Sequence, residues 1–401
     1  MISWEEAVER IGEELQPLGT ERVALLDAIG RALGETVTLP CDLPAWDNSA
    51  MDGYALRAAD AGPAPSTLPV AGERWAGSAP GAPIAPGTAV RIFTGAPLPP
   101  GADAIVKQEE TTREGDRVTL HVEPRRGDFV RPAGEDGAAG TVALAPGHEL
   151  LPPEIGRLAA LGRSHVAVHL RPRVGILASG DELLAPDEPM REGGIRESNA
   201  FALAAAAIEA GALPVILGIA RDRAGEAERL LAAAAISCDA VVTCGGASVG
   251  ERDLLKDALR GIGAEERFWR VAIKPGKPFG FYRLPGGKPV FLLPGKPASA
   301  SVTFEIFVRP GLRRLAGLQG HGRPEVELPL AAPARKSADL ALWVRGNLQG
   351  GRFVASPHQS SGLTRSLVGQ RALATLPVGP ASLEAGHPVL VRLLGGAPAR
   401  S

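Results

Sequence analysis

From Arg171 to Gly317 the chain alternates short apolar runs with helix-like segments, and this alternation constrains the fold more than any other feature. RVGILAS, LPVILGIA, DAVVTCGG and KPVFLLPG each end in Gly, Ser or a charged loop. Between them lie SNAFALAAAAIEAGA, AGEAERLLAAAA and DLLKDALRGIG, with the composition and spacing of helices. A strand covered by helices on both faces has no polar side, so it reads as a continuous apolar run. The pattern therefore predicts a mostly parallel sheet layered with helices over residues 169 to 317.

The flanks have another texture. Ser3 followed by Glu6 is a capping-box pattern, and Trp4, Ala7, Val8, Ile11 and Leu15 recur at helical spacing, which predicts a helix over about residues 4 to 15. Between Gly62 and Gly140 the runs TAVRIF, DAIVKQ and DRVTLHV alternate with Pro/Gly turns, as in a small β domain. We expect an N-terminal region over residues 1 to 168, helical and segmented, with that β domain inserted at about 46 to 143. After Gly317, EVELPL, LALWVRG, GRFVAS, RALATLPV and HPVLVRLL predict a C-terminal β domain over 318 to 401. The fold class expected is thus multidomain α/β plus β.

Bulk properties exclude several functions. The formal net charge is −2 and no Lys/Arg-rich run occurs, so nothing suits a nucleic acid. No apolar stretch approaches the roughly 20 residues that span a bilayer. The first residues, MISWEEAVER, are acidic and amphipathic, unlike a signal peptide. Cys41, Cys238 and Cys244 are scattered without a C-x-x-C, which argues for a reducing cytoplasm and against a disulfide framework or zinc site.

In a parallel α/β sheet, ligands bind beyond the carboxyl ends of the strands. The loops there carry Gly180-Asp181-Glu182, Arg221-Asp222-Arg223, Gly245-Gly246-Ala247-Ser248-Val249-Gly250 followed by Glu251 and Asp253, and Lys296-Pro297-Ala298-Ser299. Glycine and serine at strand-to-helix turns expose backbone N–H groups that cradle phosphate. The spacing matches neither G-x-G-x-x-G nor G-x-x-x-x-G-K-[ST]. Arg270, Lys274 and Lys277 cluster in FWRVAIKPGKPFG, where Trp269, Phe279 and Phe281 suggest a half-buried platform rather than a solvated loop. Glu182, Asp222 and Asp253 end neighbouring strands by this reading. Three carboxylates beside a phosphate repel it unless a divalent cation intervenes, which points to Mg²⁺. By composition alone, PAWDNSAMDGYALR and RIFTGAPLPPGAD are loops built of turn-formers.

PAWDNSAMDGYALR, RIFTGAP, RPAGEDG, ASGDEL, CGGASVGERD, IKPGKPFGF and LLPGKPASA, in this order, resemble the molybdopterin molybdenumtransferases, the MoeA family, which includes the E domain of gephyrin. The resemblance runs from the first helix to about His387. It implies an α/β pterin-binding domain, a segmented helical domain, an inserted β domain and a β-barrel-like C-terminal domain. It also implies an elongated homodimer, with each cleft drawing on both subunits, and contact with the upstream adenylyltransferase. The reaction implied takes adenylylated molybdopterin, molybdate and Mg²⁺, and gives molybdenum cofactor and AMP.

Carried onto matching positions, the resemblance implies catalytic roles for Asp52, Thr94, Asp136, Glu182, Asp222, Asp253 and Lys274. Glu182, Asp222 and Asp253 would hold the metal. Gly245, Gly246, Ser248, Gly250, Arg270, Lys277, Pro294, Lys296, Pro297 and Ser360 (or Ser361) would bind substrate. Two positions depart from the pattern: the family often has Lys where Arg270 stands, and usually Asn where Lys296 stands. Two other readings exist: the adenylyltransferase that precedes this step, a single α/β domain, and a gephyrin-like scaffold, for which an acidic cluster has no use.

Overall fold

The computed structural model describes residues 1–245, 254–320 and 322–395. The chain forms two compact units: one of residues 1–34, 146–159 and 163–401, the other of residues 35–145 and 160–162.

The larger unit is built on a six-stranded sheet. In spatial order its strands are Leu213–Ala220, Arg173–Ser179, Ala240–Cys244, Pro289–Leu293, Gly280–Arg283 and Glu265–Trp269. The first four are parallel to one another, and Gly280–Arg283 runs against both its neighbours. Alternate residues of the central strands feed two cores on opposite faces. Ile176, Val242 and Phe291 pack with Leu203 and Ala207 of helix Asn199–Glu209 and with Phe304 and Phe307. Leu177, Val241 and Leu292 pack with Leu231 of helix Glu226–Ser237 and with Leu255 and Leu259 of helix Leu254–Gly261. Two cores, one per face, are why the central strands are predominantly apolar.

The N-terminal helix Trp4–Glu14 begins as its capping box requires, with Ser3 Oγ accepting from the Glu6 N–H at 3.1 Å. It ends one residue before Leu15, which is buried as the cap. Its Ala7 and Ile11 join the larger core. The C-terminal strands make a second sheet in the order Ile273–Lys274, Ala341–Gln349, Ala372–Leu376, Pro388–Leu393 and Glu325–Pro329, with Arg352–Ala355 beside Ala341–Gln349. Its path is open, a half-barrel over a core of Val344, Phe353, Ala374 and Val391. One member, Ile273–Lys274, is the basic loop identified in the sequence, stitched parallel to Ala341–Leu342.

The smaller unit holds a six-stranded sheet in the order Ala104–Lys107, Gly53–Leu56, Ala89–Ile92, Ser66–Arg74, Arg117–Leu120 and Thr111–Glu114. Here the composition reading of PAWDNSAMDGYALR as a loop is corrected. Gly53–Leu56 is a buried inner strand, antiparallel to both neighbours. A Cβ on Gly53 would lie 2.1 Å from Val106 O, so glycine stands there because two backbones meet, not because the chain turns. Among the described residues, no helix is long and apolar enough to cross a membrane.

Candidate active site

In the larger unit, the parallel strands end side by side at Ser179, Cys244 and Leu293. Gly245 follows with φ +100, and a Cβ there would lie 2.4 Å from Ser179 O. A Cβ on Gly295 would lie 3.1 Å from Gly245 Cα. The two glycines leave a crease free of side chains at the mouth of the sheet. Asn199 fixes one wall by donating from Nδ2 to Gly295 O at 2.7 Å. Above this crease opens a cavity of about 1170 Å³.

Five cationic side chains line it: Arg270, Lys274, Lys277, Lys296 and Arg335, with Glu182 and Glu197 the carboxylates. None of the five has an ion-pair partner among the described residues. Five cations against two carboxylates leave an excess of positive charge, so the arrangement favours a polyanionic occupant. The backbone presents them rigidly. Arg270 sits in the left-handed region (φ 68), unusual for a residue with a Cβ, and its N–H donates to Phe279 O at 3.0 Å. The expectation of a half-buried aromatic platform needs correction here: Phe279 and Phe281 are wholly buried, Phe279 stacking on Phe307 with ring centroids 4.3 Å apart. They anchor the basic loop from beneath. Only Trp269 is half-buried, with Lys256 Nζ 3.1 Å from its ring centroid.

Other expected residues fall around this cavity. Gly245, Pro294, Lys296 and Ser360 line it, together with Ser361. Lys296 is the N-cap of helix Pro297–Thr303 and makes no side-chain capping bond. Pro297 opens that helix and is not part of the lining. Ser361 O accepts from the Ala298 N–H at 2.9 Å, and buried Arg345 donates from Nη2 to His358 O and Ser360 O at 3.3 and 3.4 Å. Gly246, Ser248, Gly250 and Asp253 lie outside the described residues.

Glu182 lines the cavity, whereas Asp222 follows the neighbouring strand, which ends at Ala220, and is not in the lining. Burial first, then the charges of Asp181 and Glu182, raise the Asp222 carboxyl above its ordinary range. Asp181 Oδ1 accepts the Asp222 N–H at 2.9 Å, and Arg221 Nη1 ties the loop by donating to Leu183 O at 2.5 Å. Among the described residues, no three His, Cys, Asp or Glu side chains converge on a metal position.

In the smaller unit, Asp52 and Thr94 meet. Thr94 donates its backbone N–H and its hydroxyl to Asp52 Oδ1, each at 2.7 Å. These two bonds, the backbone one first, hold the Asp52 carboxyl below its usual range, with a smaller pull from Arg91. Asp136 sits in a separate turn whose backbone N–H donates to Leu43 O at 2.8 Å.

Of the lining residues that sequence reasoning passed over, four bear on the chemistry. Arg335 lies in a short strand with no motif around it. Glu197, 6% exposed, accepts the Ala200 N–H at 2.8 Å; its place before a helix was the available signal. Cys244 is buried, and burial with the Glu197 charge pushes its thiol up, so it is no nucleophile at neutral pH. Trp343 closes the apolar side.

The chain matches the family profile described as the MoeA N-terminal region (domain I and II) over residues 2–162. It matches the probable molybdopterin binding domain over 175–314 and the MoeA C-terminal region (domain IV) over 327–394. A molybdopterin molybdenumtransferase of Nostoc sp. is 38% identical over 384 residues, covering 93% of this chain and 88% of that protein. Molybdopterin molybdenumtransferase 2 of Mycobacterium tuberculosis is 38% identical over 96% of this chain and 98% of its own length.

The chain belongs to the MoeA family of molybdopterin molybdenumtransferases.

A crystal structure titled as a molybdopterin biosynthesis MoeA protein from Pyrococcus horikoshii superposes with a TM-score of 0.86 at 29% identity, covering 98% of this chain and all of that one. Membership over nearly the whole chain disfavours both alternatives, the single-domain adenylyltransferase and the scaffold.

Proposed function

We propose that this protein inserts molybdate into adenylylated molybdopterin with release of AMP. The observation that carries this reading is the convergence on one cavity, at the carboxyl ends of a parallel sheet, of five cations without an ion-pair partner among the described residues. The substrate offers a pyrophosphate and molybdate a further dianion, and both need cations that are not already neutralised. Lys274 and Lys277, held by the strand pairing of their loop, bind and orient the oxyanions. Arg270 and Arg335 present planar guanidinium groups suited to two phosphate oxygens at once. Lys296 and Ser360 close the ring of contacts.

Mg²⁺ fits the acidic edge on one structural ground: burial first, and then the neighbouring charges of Asp181 and Glu182, raise the Asp222 carboxyl, and a divalent cation relieves the part that is repulsion. Glu182, Asp222 and Asp253 would hold the ion, which when bound would supply charge neutralisation at the pyrophosphate and make AMP a better leaving group. Asp52, Thr94 and Asp136 serve the same reaction by the family's pattern, Asp52 as a carboxylate kept ionised by Thr94. The protein acts as a homodimer in this reading.

Lys274→Gln tests the charge argument. Binding of adenylylated molybdopterin, measured by calorimetry, should weaken about tenfold or more, and its salt dependence should flatten. Unchanged affinity and salt dependence would remove the cavity from the account.

A further inference from the structure

The smaller unit carries an aromatic surface that none of the residues assigned above explains. Strands Ser66–Arg74 and Ala89–Ile92 run parallel and end in register, Arg74 opposite Ile92. The next residue of interest on each, Trp75 and Phe93, stack face to face with centroids 3.8 Å apart and planes 12° from parallel. Neutral rings prefer offset or edge-on packing, because faces carry like partial charge. Here a cation offsets that cost: the Arg91 guanidinium lies 4.6 Å from the Phe93 centroid and 5.2 Å from that of Tyr54. Arg91 is itself pinned, donating to Gly53 O at 3.0 Å and Gln108 Oε1 at 2.6 Å. Tyr54 at the bottom of the ladder is buried, whereas Trp75 at its top is 55% exposed. The ladder is a rigid stack that ends in an open indole.

Its position is specific. Thr94, which holds Asp52 Oδ1, follows Phe93 directly in the chain. Arg91, which lies over the Phe93 ring, also acts on the Asp52 carboxylate, so the stack shares its cation with a group able to accept an N–H from a ring amino group.

We propose that Trp75 is a stacking subsite for a planar nitrogen heterocycle bearing an amino group, the chemistry shared by adenine and pterin. The inference rests on the proposed reaction, whose substrate carries both rings. A preorganised stack loses little freedom on accepting one more ring, and Asp52 adds directionality without needing a basic side chain.

The test uses the full-length protein, Trp75→Leu and Trp75→Tyr, with AMP and 6-hydroxymethylpterin as separate probes. Because Trp75 is exposed in a turn, both variants should melt within a few degrees of the parent. Stacking on an aromatic ring is typically worth about 5- to 150-fold in affinity. Trp75→Leu should weaken one or both probes by that order and abolish the associated quenching of indole fluorescence, while Trp75→Tyr should retain most of the affinity. Loss confined to AMP assigns adenine, and loss confined to the pterin probe assigns pterin. If both probes bind Trp75→Leu as tightly as the parent, the subsite is wrong. AMP release by the parent from adenylylated molybdopterin is measured alongside: its presence with unchanged Trp75→Leu binding overturns this subsite alone, and its absence overturns the reaction.

Discussion

Thr94 gives both of its donors to a single oxygen of Asp52, leaving Asp52 Oδ2 outside that pair of bonds. Charge-assisted hydrogen bonds stabilise the ionised form, and two on one atom explain why the carboxyl is held down although it lies at the surface. Thr94→Val removes the hydroxyl and keeps the N–H, which is the larger cause. The Asp52 pKa, followed by NMR, should rise yet stay below the ordinary carboxylate value. Because the folded pKa is depressed, the coupled stability is present above the unfolded value near 3.8 and is lost only as pH falls through the folded pKa. Near neutral pH, where that stability is present, the variant should melt slightly below the parent, with the difference closing as pH falls through the folded pKa, and Asp52→Ala should lower turnover about 100-fold or more. An unmoved pKa in Thr94→Val would show that the hydroxyl bond is not what the geometry indicates.

The glycine crease predicts a stability effect. Gly245→Ala forces a Cβ to within 2.4 Å of Ser179 O on a backbone at φ +100. The cost should be roughly 1–3 kcal/mol or more in urea unfolding. Full retention of stability would mean that the strand ends are looser than described.

The parallel part of the α/β sheet was legible because burial on both faces leaves few polar residues in its central strands. Each of the four apolar runs became a strand, with bounds within a residue or two. Glu265–Trp269 was not legible, since EERFW mixes charge with aromatics at an edge position. Gly53–Leu56 was hidden by the turn-formers Asp47, Asn48 and Ser49 before it and by a glycine whose reason is a close approach to Val106. Around the cavity, Glu182, Lys274, Lys277 and Lys296 were legible because they sit past strand ends or in a Pro/Gly loop, whereas Asp222 is not in its lining. Arg335 and Trp75 come from segments without pattern, and only folding shows what they face.

Lys296 caps its helix without a side-chain bond and lines the cavity without an ion partner among the described residues. Lys296→Asn should weaken adenylylated molybdopterin binding about tenfold and reduce its salt sensitivity. Asn is also the better cap, so stability should rise by up to about 1 kcal/mol. A rise in stability with unchanged binding would make Lys296 a solvated side chain and nothing more.

Crowded carboxylates predict a dependence on Mg²⁺. Asp222→Asn should fold normally and raise the Mg²⁺ concentration for half-maximal AMP release roughly tenfold or more. Equal Mg²⁺ requirement in parent and variant would remove Asp222 from the metal set.

The central claim is the reaction. Purified protein incubated with adenylylated molybdopterin, Mg²⁺ and molybdate should release AMP, with molybdenum retained on the pterin, and release should fall sharply when molybdate is withheld. AMP release indifferent to molybdate, or formation of adenylylated molybdopterin from ATP and the free pterin instead, would contradict it.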